Sequence, residues 1–384
     1  MILPATTRRF DLDWLRVLAL CVLVFYHIGM FYVYEWGWHI KSEQQSVWLQ
    51  DIMILTNQWR MSLLFLISSM VLSLTIHKQS RVKGVIKRSS RLLVPLLFGM
   101  FVIVAPQVYV EATDQGLIDM GFWSFWLEYI NTETHLLTEH HSVIGLLTWN
   151  HLWFLPYLWC YTLLLFALSP ILEPLLARLG SFRYTPICLV ILAVAVMSLI
   201  WLNLRREFPV THDLITDWYS HAKYFWVCVL GYLFARLQGF TQFLQNYRRV
   251  FLVGAVLLYG LLIADRHDYL QFLATHFDTS VTVRGIYALI VTGNHWCWLF
   301  AILGYASRYL SFNCPKLDVL NKGVMPSYMV HQTVIVLLAY GFTFVSTPIV
   351  VEVLLIVVLT FVSCGIAIGL AKSNKLFGVL LGYR

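Results

Sequence analysis

The chain is short of charge. Only 12% of its 384 residues are Asp, Glu, Lys or Arg, about half the roughly 25% of an ordinary soluble domain. It also lacks hydrophilic stretches, the longest being under 40 residues. No room remains for a separate soluble domain beside an apolar one. Its seven cysteines, Cys21, Cys160, Cys188, Cys228, Cys297, Cys314 and Cys364, nowhere fall at metal-ligand spacing. That excludes a zinc framework, and their scatter argues against a disulfide scaffold. There is no glycine-rich phosphate loop, no HExxH helix and no GxSxG elbow, so no competing phosphoryl-transfer, zinc-hydrolase or serine-esterase chemistry suggests itself. Internal repeats and low-complexity tracts are missing too.

What the chain has is hydrophobic length. With 59% hydrophobic residues, apolar runs long enough to cross a bilayer recur from end to end. The expectation is an all-α polytopic integral membrane protein, one domain over residues 1–384, with about ten transmembrane helices. The spans fall at roughly 12–34, 52–76, 92–111, 149–170, 185–203, 221–238, 250–264, 285–305, 323–345 and 348–371. The first run is too long for a signal-peptide core and has no small-residue cleavage site after it, so it is expected to be retained. Basic residues alternate between loops: about 20 of the 27 Lys and Arg fall in every second one, whereas Glu111, Asp114, Asp119, Glu128, Glu133 and Glu139 crowd segment 111–148. This pattern places both termini in the cytoplasm. It also accounts for the excess of basic residues by topology, without nucleic acid.

Ionisable residues inside spans are costly and mark function by default. The first span carries Arg16 and His27, eleven steps apart. That is about 20° past three full turns, so both share a face, roughly 16 Å apart along the axis. Arg60 lies about eight residues inside the second span, at about the depth of His27. There it is a candidate to stabilise an oxyanion or hold an anionic acyl group, or else a snorkelling arginine. His151, His295 and His331 lie in later spans, each a candidate either for chemistry or for a helix–helix hydrogen bond. The inner stretch His77–Arg91 holds six basic residues and no acid, which suits anionic lipid or a polyanionic cofactor. One scheme joins these parts: Arg16, Arg88 and Arg91 hold the phosphates of a cytosolic acyl-CoA, and the thioester arm reaches His27, a general base for an acceptor hydroxyl. The outer segment 111–148, with Trp123, Trp126 and Tyr129, is a candidate lid, carbohydrate platform or interfacial anchor. A proton-coupled transporter or flippase of a glycan or lipid-linked sugar is the alternative, resting on polytopic form.

In these motifs the sequence resembles the acyltransferase 3 family of bacterial multi-span membrane acyltransferases. Arg16 and His27 match its Arg-x10-His pattern, RMSLLFLISS its second-span stretch and Arg88-Ser-Ser-Arg91 its cytoplasmic Arg-x-x-Arg. HLWFLPYLW and SYMVHQ match later signatures. Ser69 stands where the family usually has glycine. The opening DLDWLRVLAL and the ten spans resemble the glucan biosynthesis protein C branch. The resemblance implies acetyl-CoA or succinyl-CoA as donor, a glycan hydroxyl as acceptor, no metal, and a place in the bacterial inner membrane. His27 and Arg60 would then be catalytic, Arg16, Arg88 and Arg91 would bind the donor, and His151 and His331 would support the substrate.

Overall fold

A computed structural model describes residues 8–78, 80–142 and 144–383. Among them the chain is helical, without a strand. Helix α1 spans Phe10–Tyr32, α2 Val47–Asn57, α3 Arg60–Thr75, α4 Arg81–Phe98, α5 Ala105–Asp114 and α6 Phe122–Ile130. Then follow α7 Phe154–Ser181, α8 Thr185–Leu204, α9 Trp218–Phe234, α10 Gln238–Arg266, α11 Gln271–His276, α12 Val281–Tyr309, α13 Leu317–Thr343, α14 Ile349–Ser373 and α15 Lys375–Leu380. Nine helical stretches among the described residues are long and apolar enough to cross a membrane. The sixth expected span is α9, whose 17 residues reach about 26 Å at 1.5 Å per residue. The protein is an all-α polytopic membrane protein.

The basic stretch expected as a loop is instead helical, since α4 begins at Arg81. Arg81, Lys83, Lys87 and Arg91 are exposed there while Gly84 and Leu92 are buried. That two-faced pattern lets the helix continue through charged residues.

Packing divides the chain into two compact units. The first holds residues up to Ala19, Leu55–Ile86 and Cys160–Leu317; the second holds Leu20–Ile54, Lys87–Trp159 and the chain from Asp318 onward. In the first unit α3 and α9 meet at a glycine. A Cβ on Gly231 would overlap Ser69 Oγ and lie 2.7 Å from the Leu66 carbonyl oxygen. Close approach at Ser69 is therefore kept, with the glycine supplied by the opposing helix.

The core of the second unit is a stripe of α1, Val24, Ile28, Phe31 and Tyr32, packed with Ile335, Val336 and Ala339 of α13, Val110 of α5 and Ile356 of α14. These residues recur at helical three- and four-residue intervals, so each helix turns one apolar face inward. The last carbonyls of α1 would otherwise be orphaned. Lys41 Nζ donates to the carbonyls of Met30, Val33 and Trp36, and the Ser42 and Ser46 amides donate to Phe31 and Tyr32. A cation here also suits the helix dipole.

Between α4 and α5 lies a π-helical turn, Gly99–Ile103, closed by Val104 N to Gly99 O at 2.9 Å. Pro106, in the first turn of α5, has no N–H to give the preceding turn. Side chains supply donors instead: Tyr129 Oη to Met100 O at 3.0 Å, Trp126 Nε1 to Phe101 O at 2.8 Å and Thr333 Oγ1 to Ile103 O at 2.7 Å. Two of these come from α6, so segment 111–148 is tied back onto the helix before it. Burial pushes the Tyr129 hydroxyl's pKa upward, keeping it a donor.

Candidate active site

The apolar stripe of the second unit ends in a histidine pair. His27 lies one turn before Phe31, and His331 one turn before Ile335. His27 Nδ1 is 2.9 Å from His331 Nε2, and the rings are stacked at 5.0 Å between centroids. His331 is fully buried, and its Nδ1 is 2.8 Å from the carbonyl oxygen of Tyr328.

These partners assign the protons. A carbonyl only accepts, so His331 Nδ1 carries a hydrogen. In the neutral ring His331 Nε2 is then an acceptor, and His27 Nδ1 must donate to it. The second proton-binding position of His27, Nε2, therefore holds a lone pair. The Tyr328 carbonyl, His331 and His27 form a relay that sets one imidazole in its basic tautomer, as an orienting group does for a catalytic histidine.

A second network adjoins the pair. The His151 and His331 rings meet edge to face, 5.4 Å apart. His151 Nε2 is 3.1 Å from the Met329 carbonyl oxygen, so it donates there and Nδ1 accepts from Gln107 Nε2 at 3.2 Å. Gln107 Nε2 also donates to Thr333 Oγ1 at 2.6 Å. Its Oε1 accepts from Asn150 Nδ2 and from Gln332 Nε2, each at 3.3 Å. Gln332 Nε2 reaches His39 Nε2 at 3.0 Å, and His39 Nδ1 pairs with Glu111 Oε2. An unbroken hydrogen-bonded chain thus runs from the Glu111 carboxylate to His151. Buried polar networks this complete fix side-chain geometry.

The network opens on a cavity of about 320 Å³ lined in part by His39, Glu111, Gln115, His140, Thr148 and Asn150. Glycine makes the packing here possible: a Cβ on Gly99 would overlap Leu152 and lie 2.7 Å from Met329 Cε.

The expected site residues are distributed as follows. His27, His151 and His331 come together in the second unit, and Arg88 and Arg91 lie in the same unit one turn apart on α4. Arg16 and Arg60 belong to the first unit. Arg16 is half-buried on the unbroken helix that carries His27, and Arg60 is buried as the first residue of α3. His295, in the first unit, has Nδ1 2.7 Å from the Gln58 carbonyl oxygen. Among the acids, Glu352 accepts from Tyr32 Oη at 2.8 Å. Gln107, Gln332, Thr333 and His39 were not singled out by the sequence. Gln107 had a signal, an amide inside an apolar span, and Gln332 lies within SYMVHQ.

Comparison with known proteins gives the family. No curated protein and no solved structure matched the chain. A model of the acyltransferase 3 family, an acyltransferase domain, matches residues 9–372, nearly the whole chain and both histidines of the pair. The chain therefore belongs to the acyltransferase 3 family and is a membrane-embedded acyltransferase.

Proposed function

We propose that the protein moves an acyl group from cytosolic acyl-CoA to a hydroxyl of an extracytoplasmic glycan, with His27 as general base. The observation that carries this reading is the Tyr328–His331–His27 relay, which leaves Nε2 of His27 as the basic nitrogen. In the reaction the acceptor hydroxyl gives its proton to His27 Nε2 as its oxygen attacks the thioester carbonyl carbon. The carbon–sulfur bond then breaks, and the departing thiolate takes the proton from the imidazolium to leave as CoA thiol. His331 accepts from His27 Nδ1 throughout, so the imidazolium keeps a partner. Its part is to position and stabilise. General base catalysis of this kind contributes about 10²–10⁴-fold.

Donor phosphates are assigned to Arg16, Arg88 and Arg91, since guanidinium groups bind phosphate strongly. Arg60 is the candidate to stabilise negative charge on the thioester oxygen. The cavity beside Glu111 and His39 is assigned to the acceptor, because its amide, hydroxyl and imidazole groups suit a polyol. In this reading both termini are cytoplasmic, the membrane is the bacterial inner membrane, and membrane lipids are its other contacts. The opening motif favours a periplasmic glucan as acceptor and an acetyl or succinyl group as cargo.

The test is transfer of labelled acyl group from acetyl-CoA or succinyl-CoA to isolated glucan by membranes, with mass spectrometry of periplasmic glycans from a deletion strain. His27→Ala should lower transfer about 10²–10⁴-fold while inserting normally. Full transfer by that variant refutes the assignment.

A further inference from the structure

The first unit holds a second group of polar side chains, which acyl transfer does not use. It lies where α2 and α3 part, at Gln58 and Trp59. The Gln58 carbonyl accepts the Nδ1 hydrogen of His295. His295 is only 3% exposed, and its Nε2 has no hydrogen-bond partner among the described residues. The indole N–H groups of Trp59 and Trp298 are likewise buried without partners. Their rings lie 6.4 Å apart, and Trp298 follows His295 by one turn of α12. Buried donors and acceptors left unmet cost free energy, and native proteins leave few of them. Three at one place mark a position for a polar guest.

Helix α9 packs on α3, with Tyr224 stacked on Phe65 at 4.7 Å between centroids, and brings a cation to this side of the unit. Lys223 Nζ lies 5.1 Å from the Tyr224 ring centroid and 5.9 Å from that of Tyr219. Among the described residues no carboxylate forms an ion pair with it. Lys223 is within electrostatic range of both His295 and His212. Arg205 Cζ lies 5.6 Å from the Tyr219 ring centroid. The acid near these groups is Asp217, whose two carboxylate oxygens already accept from the Ser220 and His212 amides at 3.2 and 3.1 Å. Positive charge thus exceeds negative, and two buried indole N–H donors have no acceptor among the described residues. That combination selects an oxyanion.

We propose that the break between α2 and α3 is a binding site for a carboxylate or phosphate group. The group is held by Lys223 and by the indole N–H groups of Trp59 and Trp298, with Arg205 adding charge. A water donating both to the anion and to His295 Nε2 completes the set. This site is independent of the acyl-transfer assignment.

The test uses the purified full chain in phosphatidylcholine nanodiscs with no acyl-CoA present. Acetate, succinate and inorganic phosphate are titrated at constant ionic strength against chloride, and tryptophan fluorescence and the thermal midpoint are read. The expected result is a saturable response to a carboxylate or to phosphate. Lys223→Met should abolish it, and Trp298→Phe should weaken it about tenfold or more, as for one hydrogen bond to a charged group. Repeating the titration in phosphatidylglycerol nanodiscs separates the sources: weaker apparent binding there identifies a lipid headgroup as the resident anion, and unchanged binding a soluble one. An unresponsive wild type in phosphatidylcholine, a response equalled by chloride, or full retention in both variants overturns the proposal. If Lys223→Met fails to insert, Trp298→Phe and Trp59→Phe decide the matter. Transfer activity is not read, so the outcome stands apart from that of the His27 assignment.

Discussion

Replacing His331 should slow transfer without weakening donor binding. His331 accepts from His27 Nδ1 at 2.9 Å and is fully buried. In His331→Leu the Nδ1 hydrogen loses this acceptor, and the imidazolium formed during proton transfer loses the stabilisation it gives. A hydrogen bond to a charged group is worth about 1.5–3 kcal/mol. At about 1.4 kcal/mol per decade, that is a fall of about 10- to 150-fold in kcat. KM for acyl-CoA should hold, because His331 is assigned no donor contact. The carboxamide oxygen of His331→Gln can accept from Nδ1, so Gln should recover much of the loss. In combination with His27→Ala, either change should cost nothing further, since a positioning residue acts only through the group it positions. The assay is initial-rate release of CoA thiol by purified protein with glycan acceptor. A His331→Leu rate within about threefold of wild type, or a full further loss on top of His27→Ala, refutes the relay.

Three other changes probe other parts of the chain. Burial lowers the pKa of His212, in the loop before α9, to about 4, with Asp217 opposing and Arg60 and Lys223 reinforcing the shift. The fold then binds fewer protons than the unfolded chain between about pH 6.5 and 4. Stability is present above 6.5 and is lost as pH falls through that window, by at most about 3 kcal/mol. His212→Gln should flatten the acid side of thermal midpoint against pH; an unchanged slope counts against it. Gly231→Ala should destabilise by about 1–3 kcal/mol, because its methyl has no room beside the Leu66 carbonyl and Ser69; a midpoint equal to wild type in detergent would remove the close approach from the account. The paired change Arg88→Ala with Arg91→Ala should raise KM for acyl-CoA about 10- to 100-fold with little effect on kcat, and an unchanged KM would move the donor phosphates elsewhere.

The helices were legible because each span must satisfy its own backbone, so hydropathy alone marks them. His27, His151 and His331 were legible for a related reason: an ionisable ring in an apolar run is conspicuous. What joins them was not. The tautomer of His27 depends on a carbonyl at Tyr328, and backbone groups leave no mark in composition. Gln107 and Gln332 are uncharged and hide among apolar neighbours. His39 lies in a connecting segment without periodicity, so nothing connected it to Glu111. The helical start at Arg81 was missed because its charges read as loop, although one face of that turn is buried. For Ser69 the family's glycine pointed to a close approach, but the glycine that provides it lies on α9, far away in sequence.

The π turn at Gly99–Ile103 has a consequence for assembly. A π turn takes up one more residue than an α turn, and each residue rotates a helix by about 100°. Taking out one residue there would swing Gln107 and Glu111 together away from His151 and His39. The turn's carbonyls are met by Tyr129, Trp126 and Thr333, two side chains from a later helix and one from near the end of the chain. The angle of α5 is thus settled by parts of the polypeptide made long after it. The rotation that carries Gln107 and Glu111 toward His151 and His39 is held in part by a hydrogen bond from α13.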